Sequence, residues 1–185
     1  CFDAVTTFCK NTNTPLVMAT TGLSEEQNKA LDDLSKVVPV FKTANMSLGV
    51  NLIVNLVKKA AQILEDNFDI EIVEKHHNQK IDAPSGTALL LADAMNQAMD
   101  GKYHYQYGRG GNDCKRQPNE IGIHALRMGN VVGEHEVIFA TDNQTISLKH
   151  QAHDRALFAD GAIAAARFIV TQAPGFYHMD DLLGP

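Results

Sequence analysis

Between residues 1 and 45 the chain alternates helix, strand, helix and strand, and no other feature restricts its fold so strongly. Phe2 to Cys9 reads as the body of a helix. Pro15-Leu-Val-Met-Ala19 is a short apolar run closed by Thr20-Thr21-Gly22, as expected of a buried strand followed by a turn. Ser24-Glu-Glu-Gln27 matches a capping box, which predicts a helix to about Lys36. Val37 to Thr43 follows as a second strand, with Pro39 near its start or on an edge. Strands joined through helices lie parallel, and parallel sheets bind ligands beyond the carboxyl ends of their strands. Thr20-Thr21-Gly22 and Thr43-Ala44-Asn45-Met46-Ser47 are the two loops at such ends.

The middle of the chain follows a different pattern. From Ser47 onwards Leu48, Leu52, Leu56, Ala60 and Ile63 recur at helical spacing, with Asn51, Asn55, Lys58 and Lys59 opposite, which predicts an amphipathic helix of about 17 residues. Asp69 to His76 alternates like a strand, and a second helix is expected from about Ser85 to Met99. Gly101 to Glu120 has no periodicity and reads as a long loop. Ile121–Met128 and Val131–Ala140 flank Gly129-Asn130, a two-residue hairpin signal. Asp142-Asn143 turns into Thr145–His153, and Ala156 to Thr171 is alanine-rich and helical. This predicts an α+β region with a four-stranded mixed sheet covered by two helices.

The net charge of −6 argues against a nucleic-acid partner, since phosphate binding needs clustered cations. No apolar run approaches the roughly 20 residues of a membrane span. Cys1, Cys9 and Cys114 form no C-x-x-C pair and read as free thiols in a reducing compartment, so the expected location is cytoplasmic.

Residues 74 to 87 read Glu-Lys-His-His-Asn-Gln-Lys-Ile-Asp-Ala-Pro-Ser-Gly-Thr and concentrate the chemistry. His76 and His77 can exchange protons near neutral pH, and Lys80 can hold an anion or give up a proton. On a strand, adjacent histidines point to opposite faces, so at most one serves a given pocket. A surface pair at a strand end is the plainer alternative. A metal site lacks a third well-spaced ligand, so none is expected. Ser85-Gly86-Thr87 opens the following helix, where Gly86 permits close approach and the helix dipole favours a carboxylate. A plain helix start would use the same residues. Arg109-Gly110-Gly111 reads as loop, and Arg155 suits a domain-junction ion pair or an anion contact. His104, His124, His135, His150, His153 and His178 are scattered and suggest no site.

The stretch Glu74-Lys-His76-His77-Asn-Gln-Lys80-Ile-Asp82-Ala-Pro-Ser85-Gly86-Thr87-Ala88 closely resembles the signature of the 4-hydroxy-tetrahydrodipicolinate reductase family. Ala44-Asn45-Met46-Ser47-Leu-Gly49-Val-Asn51, Ile121-Gly-Ile-His124-Ala-Leu-Arg127, Val132-Gly-Glu134-His135 and Phe158-Ala-Asp-Gly161-Ala162 add to the likeness. The resemblance implies an oxidoreductase of lysine and diaminopimelate biosynthesis that uses NADH or NADPH on a small cyclic dicarboxylate. It assigns acid–base catalysis to His76 and proton donation to Lys80. Substrate contacts fall on His77, Ser85, Gly86 and Thr87. Nicotinamide contacts fall on Ala19, Thr20 and Thr21, and on Thr43, Ala44, Asn45 and Met46. It further implies a homotetramer built through the sheet of the substrate domain.

Two departures from the family pattern accompany the likeness. Ala19 stands where the family has glycine, and no glycine-rich phosphate loop follows a first strand. About a third of the enzyme is therefore expected to be missing, by the usual size of such a nucleotide domain. The expected division is 1–46 with 156–185 as the remnant of a Rossmann-like dinucleotide domain, and 47–155 as the substrate and tetramerisation domain. A second reading stays open, in which the chain is an inactive substrate-binding and oligomerisation fragment.

Overall fold

A computed structural model describes residues 1–64 and 67–184; Glu65, Asp66 and Pro185, the last falling in the expected 156–185 segment, lie outside the described residues. In chain order the elements are α1 (Phe2–Thr12), β1 (Leu16–Met18), α2 (Glu25–Ser35), β2 (Pro39–Lys42), α3 (Leu48–Leu64), β3 (Asp69–His76) and α4 (Gly86–Ala98). They continue with β4 (His104–Tyr107), β5 (Glu120–Arg127), β6 (Gly133–Ala140), β7 (Thr145–Ala152), α5 (Ala156–Ile169), β8 (Gly175–Tyr177) and α6 (Met179–Leu183). The chain divides into two compact units, Cys1–Asn51 with Ala156–Pro185, and Leu52–Arg155.

The first unit is built on a parallel sheet of order β1-β2-β8. Period-two alternation sorts its two cores. Leu16, Met18, Val38 and Val40 pack with Cys9, Leu31 and Leu34 of α1 and α2. The neighbouring residues Val17 and Phe41 pack instead with Ala165, Ile169 and Met179 of α5 and α6. The capping box is present: Ser24 Oγ accepts from Gln27 N, and Gln27 Oε1 accepts from Ser24 N. Pro39 begins the central strand, where its missing N–H is tolerated. β8 and α6 carry too little periodic signal over three and five residues to be read from sequence.

The second unit holds a mixed sheet of order β4-β5-β3-β6-β7, with β4, β5 and β3 parallel and β6 and β7 antiparallel. It has five strands rather than the expected four. The extra one, β4, lies inside the stretch read as loop, because the half-exposed run His-Tyr-Gln-Tyr carries no apolar alternation. Gly129-Asn130 does not close a hairpin either. β3 sits between β5 and β6, and the turn is tied to its end by Met128 N donating to His76 O and Asn78 N donating to Gly129 O. Turn chemistry dictates that the chain reverses, not which strand it returns beside.

The covered face of the sheet packs Ile70, Ile72, Ile121, Ile123, Val137 and Phe139 against α3 and α4. α3 runs the expected length, but it buries a different stripe. Val50, Ile53, Val54, Val57 and Ala61 are inside, whereas Leu52, Leu56 and Ile63 are 53%, 44% and 69% exposed. The helix carries two overlapping apolar rows at i, i+4 spacing, and only packing selects between them. On the opposite face of the sheet the segment between β4 and β5 lays Arg109 and Arg116 across Glu71 and Glu120.

Candidate active site

In β3, residues 70, 72, 74 and 76 share the face turned to the helices. Ile70 and Ile72 enter the core, and the same row then continues as Glu74 and His76. Glu74 is wholly buried, yet each of its oxygens is satisfied twice. Oε1 accepts from Arg127 Nη2 at 2.7 Å and from Ser85 N at 3.0 Å. Oε2 accepts from Arg127 Nη1 at 2.8 Å and lies 2.6 Å from His76 Nδ1. Parallel pairing of β3 with β5 supplies the arginine, since Arg127 is the register partner of His76. Burial pushes the Glu74 carboxyl up, but Arg127, His76 and the Ser85 N–H outweigh it and hold it below the usual carboxylate range. Burial also pushes the His76 imidazole down, against the pull of Glu74. The result is a carboxylate beside a neutral ring near pH 7.

Ser85 caps α4, its Oγ accepting from Ala88 N at 3.2 Å. The same oxygen lies 2.9 Å from His135 Nε2. The His135 ring in turn stands edge-on to His76, with centroids 5.1 Å apart. His135, read from sequence as one of the scattered histidines, is thus part of this cluster. Antiparallel register places it opposite Glu74, fifty residues along the chain from Ser85. Burial pushes its pKa from 6.5 down to about 4. The unfolded chain therefore takes up this proton near pH 6.5, whereas the folded chain takes it up only near pH 4. Stability contributed by the neutral ring is complete above pH 6.5 and falls as the pH drops towards 4, by on the order of 3 kcal/mol. Urea midpoints measured across that window should show the decline, and a His135→Gln chain should lose that part of it.

The remaining residues of the motif line the turn from β3 into α4. His77 is the first residue past the strand and is half-buried, with Lys80 N donating to its carbonyl at 3.2 Å. Lys80 Nζ pairs with Asp82 Oδ1 at 2.8 Å, and its charge helps to depress the pKa of both His76 and His135. Arg127 Nη2 also donates to Asp82 O at 2.7 Å, which anchors this turn to β5. Gly86 is exposed, and beyond its chain neighbours and its own helix backbone no atom lies within 4 Å of where its Cβ would be. Packing does not demand glycine there, so the space is open to a ligand. Thr87 is half-buried on the first helical turn. A neutral imidazole, an ammonium and a helix N-terminus at one end of one unit can hold an anion and move a proton.

Glu74, Arg127 and His135 went unassigned by sequence reasoning. Glu74 had a usable signal, being an acid at i−2 from His76 and so on the same strand face. Arg127 and His135 had no signal beyond their place in stretches that resemble the family, because only strand order brings them to Glu74.

The residues read as cofactor contacts all lie in the first unit. One cavity, about 590 Å³, is lined by Thr20, Thr21, Thr43 and Ala44 together with Phe176 and His178. Another, about 490 Å³, is lined by Ala19, Thr21, Ala44, Asn45 and Met46 together with Phe158. Thr43 Oγ1 donates to Asn45 O at 3.2 Å, and Asn51 Nδ2 donates to the same carbonyl at 2.8 Å, so this loop is internally tied. Gly161 of α5 lets the helix backbone meet Met46, since a Cβ there would stand 1.7 Å from Met46 O. The linings mix hydroxyls with apolar side chains, and the larger cavity adds Asn28, Asp32 and Lys42. Phe176 was missed with β8, and His178, the N-cap residue of α6, was read as one of the scattered histidines. Among the described residues no group of His, Cys, Asp and Glu is arranged to hold a metal, and no helix is long and apolar enough to cross a membrane.

Comparison with known proteins matches residues 1–46 to the family model described as Dihydrodipicolinate reductase, N-terminus, and residues 49–183 to that of its C-terminus. The 4-hydroxy-tetrahydrodipicolinate reductase of Caldanaerobacter subterraneus subsp. tengcongensis is 57% identical over 169 residues, covering 91% of this chain and 67% of that protein. The enzyme of the same name from Clostridium novyi is 50% identical over 181 residues, covering 98% and 71%. A dipicolinate-bound dihydrodipicolinate reductase structure from Paenisporosarcina sp. TG-14 aligns with a TM-score of 0.72 at 25% identity, covering 96% of this chain and 67% of that one. The chain thus spans about two thirds of the length of these relatives.

Proposed function

Because the chain belongs to the dihydrodipicolinate reductase family, we propose that it carries out the NADH- or NADPH-dependent reduction of 4-hydroxy-tetrahydrodipicolinate to tetrahydrodipicolinate, a step of lysine and diaminopimelate biosynthesis. The observation that carries this reading is the single polar row of Glu74 and His76 running from the core to a turn that holds Lys80 and the N-terminus of α4. A ring with two carboxylates needs two anion sites. Lys80 with His77 would provide one, and Ser85, Gly86 and Thr87 at the positive end of α4 the other. Substrate would compete with Asp82 for the Lys80 ammonium, so binding exchanges one carboxylate partner for another.

The nicotinamide cofactor, when bound, supplies a hydride. Ala19, Thr20, Thr21, Thr43, Ala44, Asn45 and Met46 are the residues that would hold its reactive end. The substrate's hydroxyl leaves as water together with a proton from a neighbouring ring carbon, and after hydride addition the ring takes back one proton. The net demand is one hydride and one proton, the proton moved by the chain's own groups. Lys80 is the donor in this reading, and His76, neutral near pH 7, accepts and returns a proton through Nε2. We further propose that the sheet face carrying Glu71, Val73 and Lys75 forms a homotetramer interface. The exposed Leu126 and Met128 at its margin support that reading. A cytoplasmic location accords with the pathway.

Mixing the chain with freshly prepared substrate and NADPH and following absorbance at 340 nm tests the assignment; the expected result is substrate-dependent oxidation of the cofactor. A second reading rests on the lack of a glycine-rich phosphate loop among the described residues, and makes the chain a binding and assembly module. Titration with NADPH separates the two. Saturable micromolar binding defeats the module reading, while dipicolinate binding with neither cofactor binding nor turnover defeats the reductase reading.

A further inference from the structure

We propose that Glu74 is the positioning residue of this site, its one buried carboxylate setting the tautomer of His76 and docking the N-terminus of α4. The inference rests on the reading of His76 as the acid–base group. Four donors converge on the two oxygens: both arms of Arg127, the Ser85 N–H and His76 Nδ1. The acid–base ring and the helix end assigned to a substrate carboxylate are therefore held by the same rigid group.

A carboxylate accepts and does not donate, so a neutral His76 must carry its proton on Nδ1. Nε2 is then left with a lone pair, available to the reaction. The surroundings agree. A Cβ on residue 133 would stand 3.2 Å from Nε2, and Gly133 supplies none, so the backbone leaves that nitrogen uncovered on this side. His135, edge-on to the same ring, is engaged with Ser85. Stability alone does not explain the arrangement. Burying a carboxylate is costly before its partner is counted, and apolar residues of similar volume often serve a core equally well.

The test uses the amide isostere in the complete chain. In Glu74→Gln the side-chain NH2 can donate to Nδ1, which moves the imidazole proton to Nε2, much as the aspartate-to-asparagine change does in serine-protease triads. Imidazole ¹⁵N chemical shifts report the tautomer directly. We expect Nδ1–H for His76 in the wild-type chain at neutral pH and Nε2–H in E74Q. We also expect kcat about 10- to 100-fold lower in E74Q, with a smaller change in KM. A wild-type ring protonated on Nε2 overturns the proposal, as does an E74Q chain whose tautomer and kcat are both unchanged. Should E74Q fail to fold, the wild-type spectrum still decides. The spectrum needs no turnover, so absent reductase activity would sink the functional reading and leave this one to be judged separately.

Discussion

Replacing Lys80 by alanine lowers kcat by a factor of about 10²–10⁴, the range associated with one positioned proton donor, while the melting temperature stays near that of the parent. The side chain is one-fifth exposed and its partner Asp82 is largely in solvent, so the fold loses only a surface-type ion pair. Such pairs contribute about 0–1 kcal/mol. Lys80→Arg separates charge from proton transfer. A guanidinium holds a carboxylate but does not release its proton near neutral pH, so KM should be largely kept while kcat remains low. Stopped or steady-state assays at 340 nm give both constants. Near-normal kcat in both variants would remove Lys80 from the chemistry and return the motif to a capped turn.

Arg127→Ala lowers folding stability by about 3–5 kcal/mol, because it strands a wholly buried carboxylate. Arg127 is the only side chain among the described residues that offers Glu74 a permanent positive charge, and it reaches both oxygens. The loss should deepen as pH rises above the carboxylate range and shrink towards pH 4, where the stranded acid can be neutralised. The wild-type chain behaves oppositely for this group. Its folded pKa is depressed, so the stabilisation is present above about 4.5 and is lost as the pH falls through the lower folded value. The double variant Glu74→Leu with Arg127→Leu should recover most of the loss in urea denaturation while turnover stays low. Recovered stability without recovered activity would mean that the pair serves the reaction; no destabilisation in Arg127→Ala would mean that Glu74 is not held as the geometry indicates.

Much of the site was legible early because its parts are consecutive. Residues 74 to 87 run from a strand through a turn to a capped helix, and alternation, cap and turn rules all act within a few residues. The Ser24 capping box and the starts of α3, β3 and α4 were readable for the same reason. The stripe on α3 was not, because Leu52 and Leu56 are as apolar as the Val54 and Val57 that the core took. β4 and β8 escaped notice because three or four half-exposed residues gain strand structure only from the neighbours they pair with.

By itself, then, the sequence determined which residues are helical or extended over most of the chain, the parallel grammar of the first unit, and the consecutive strand, turn and cap that carry His76 and Lys80, the groups proposed here for proton transfer. Those features follow from backbone preference and short-range hydrogen bonding. The tertiary structure alone decided that β3 lies between β5 and β6, and so that Arg127 and His135 close on Glu74, His76 and Ser85. Strand order depends on which apolar faces pack together across fifty or more residues, and no local rule carries that information.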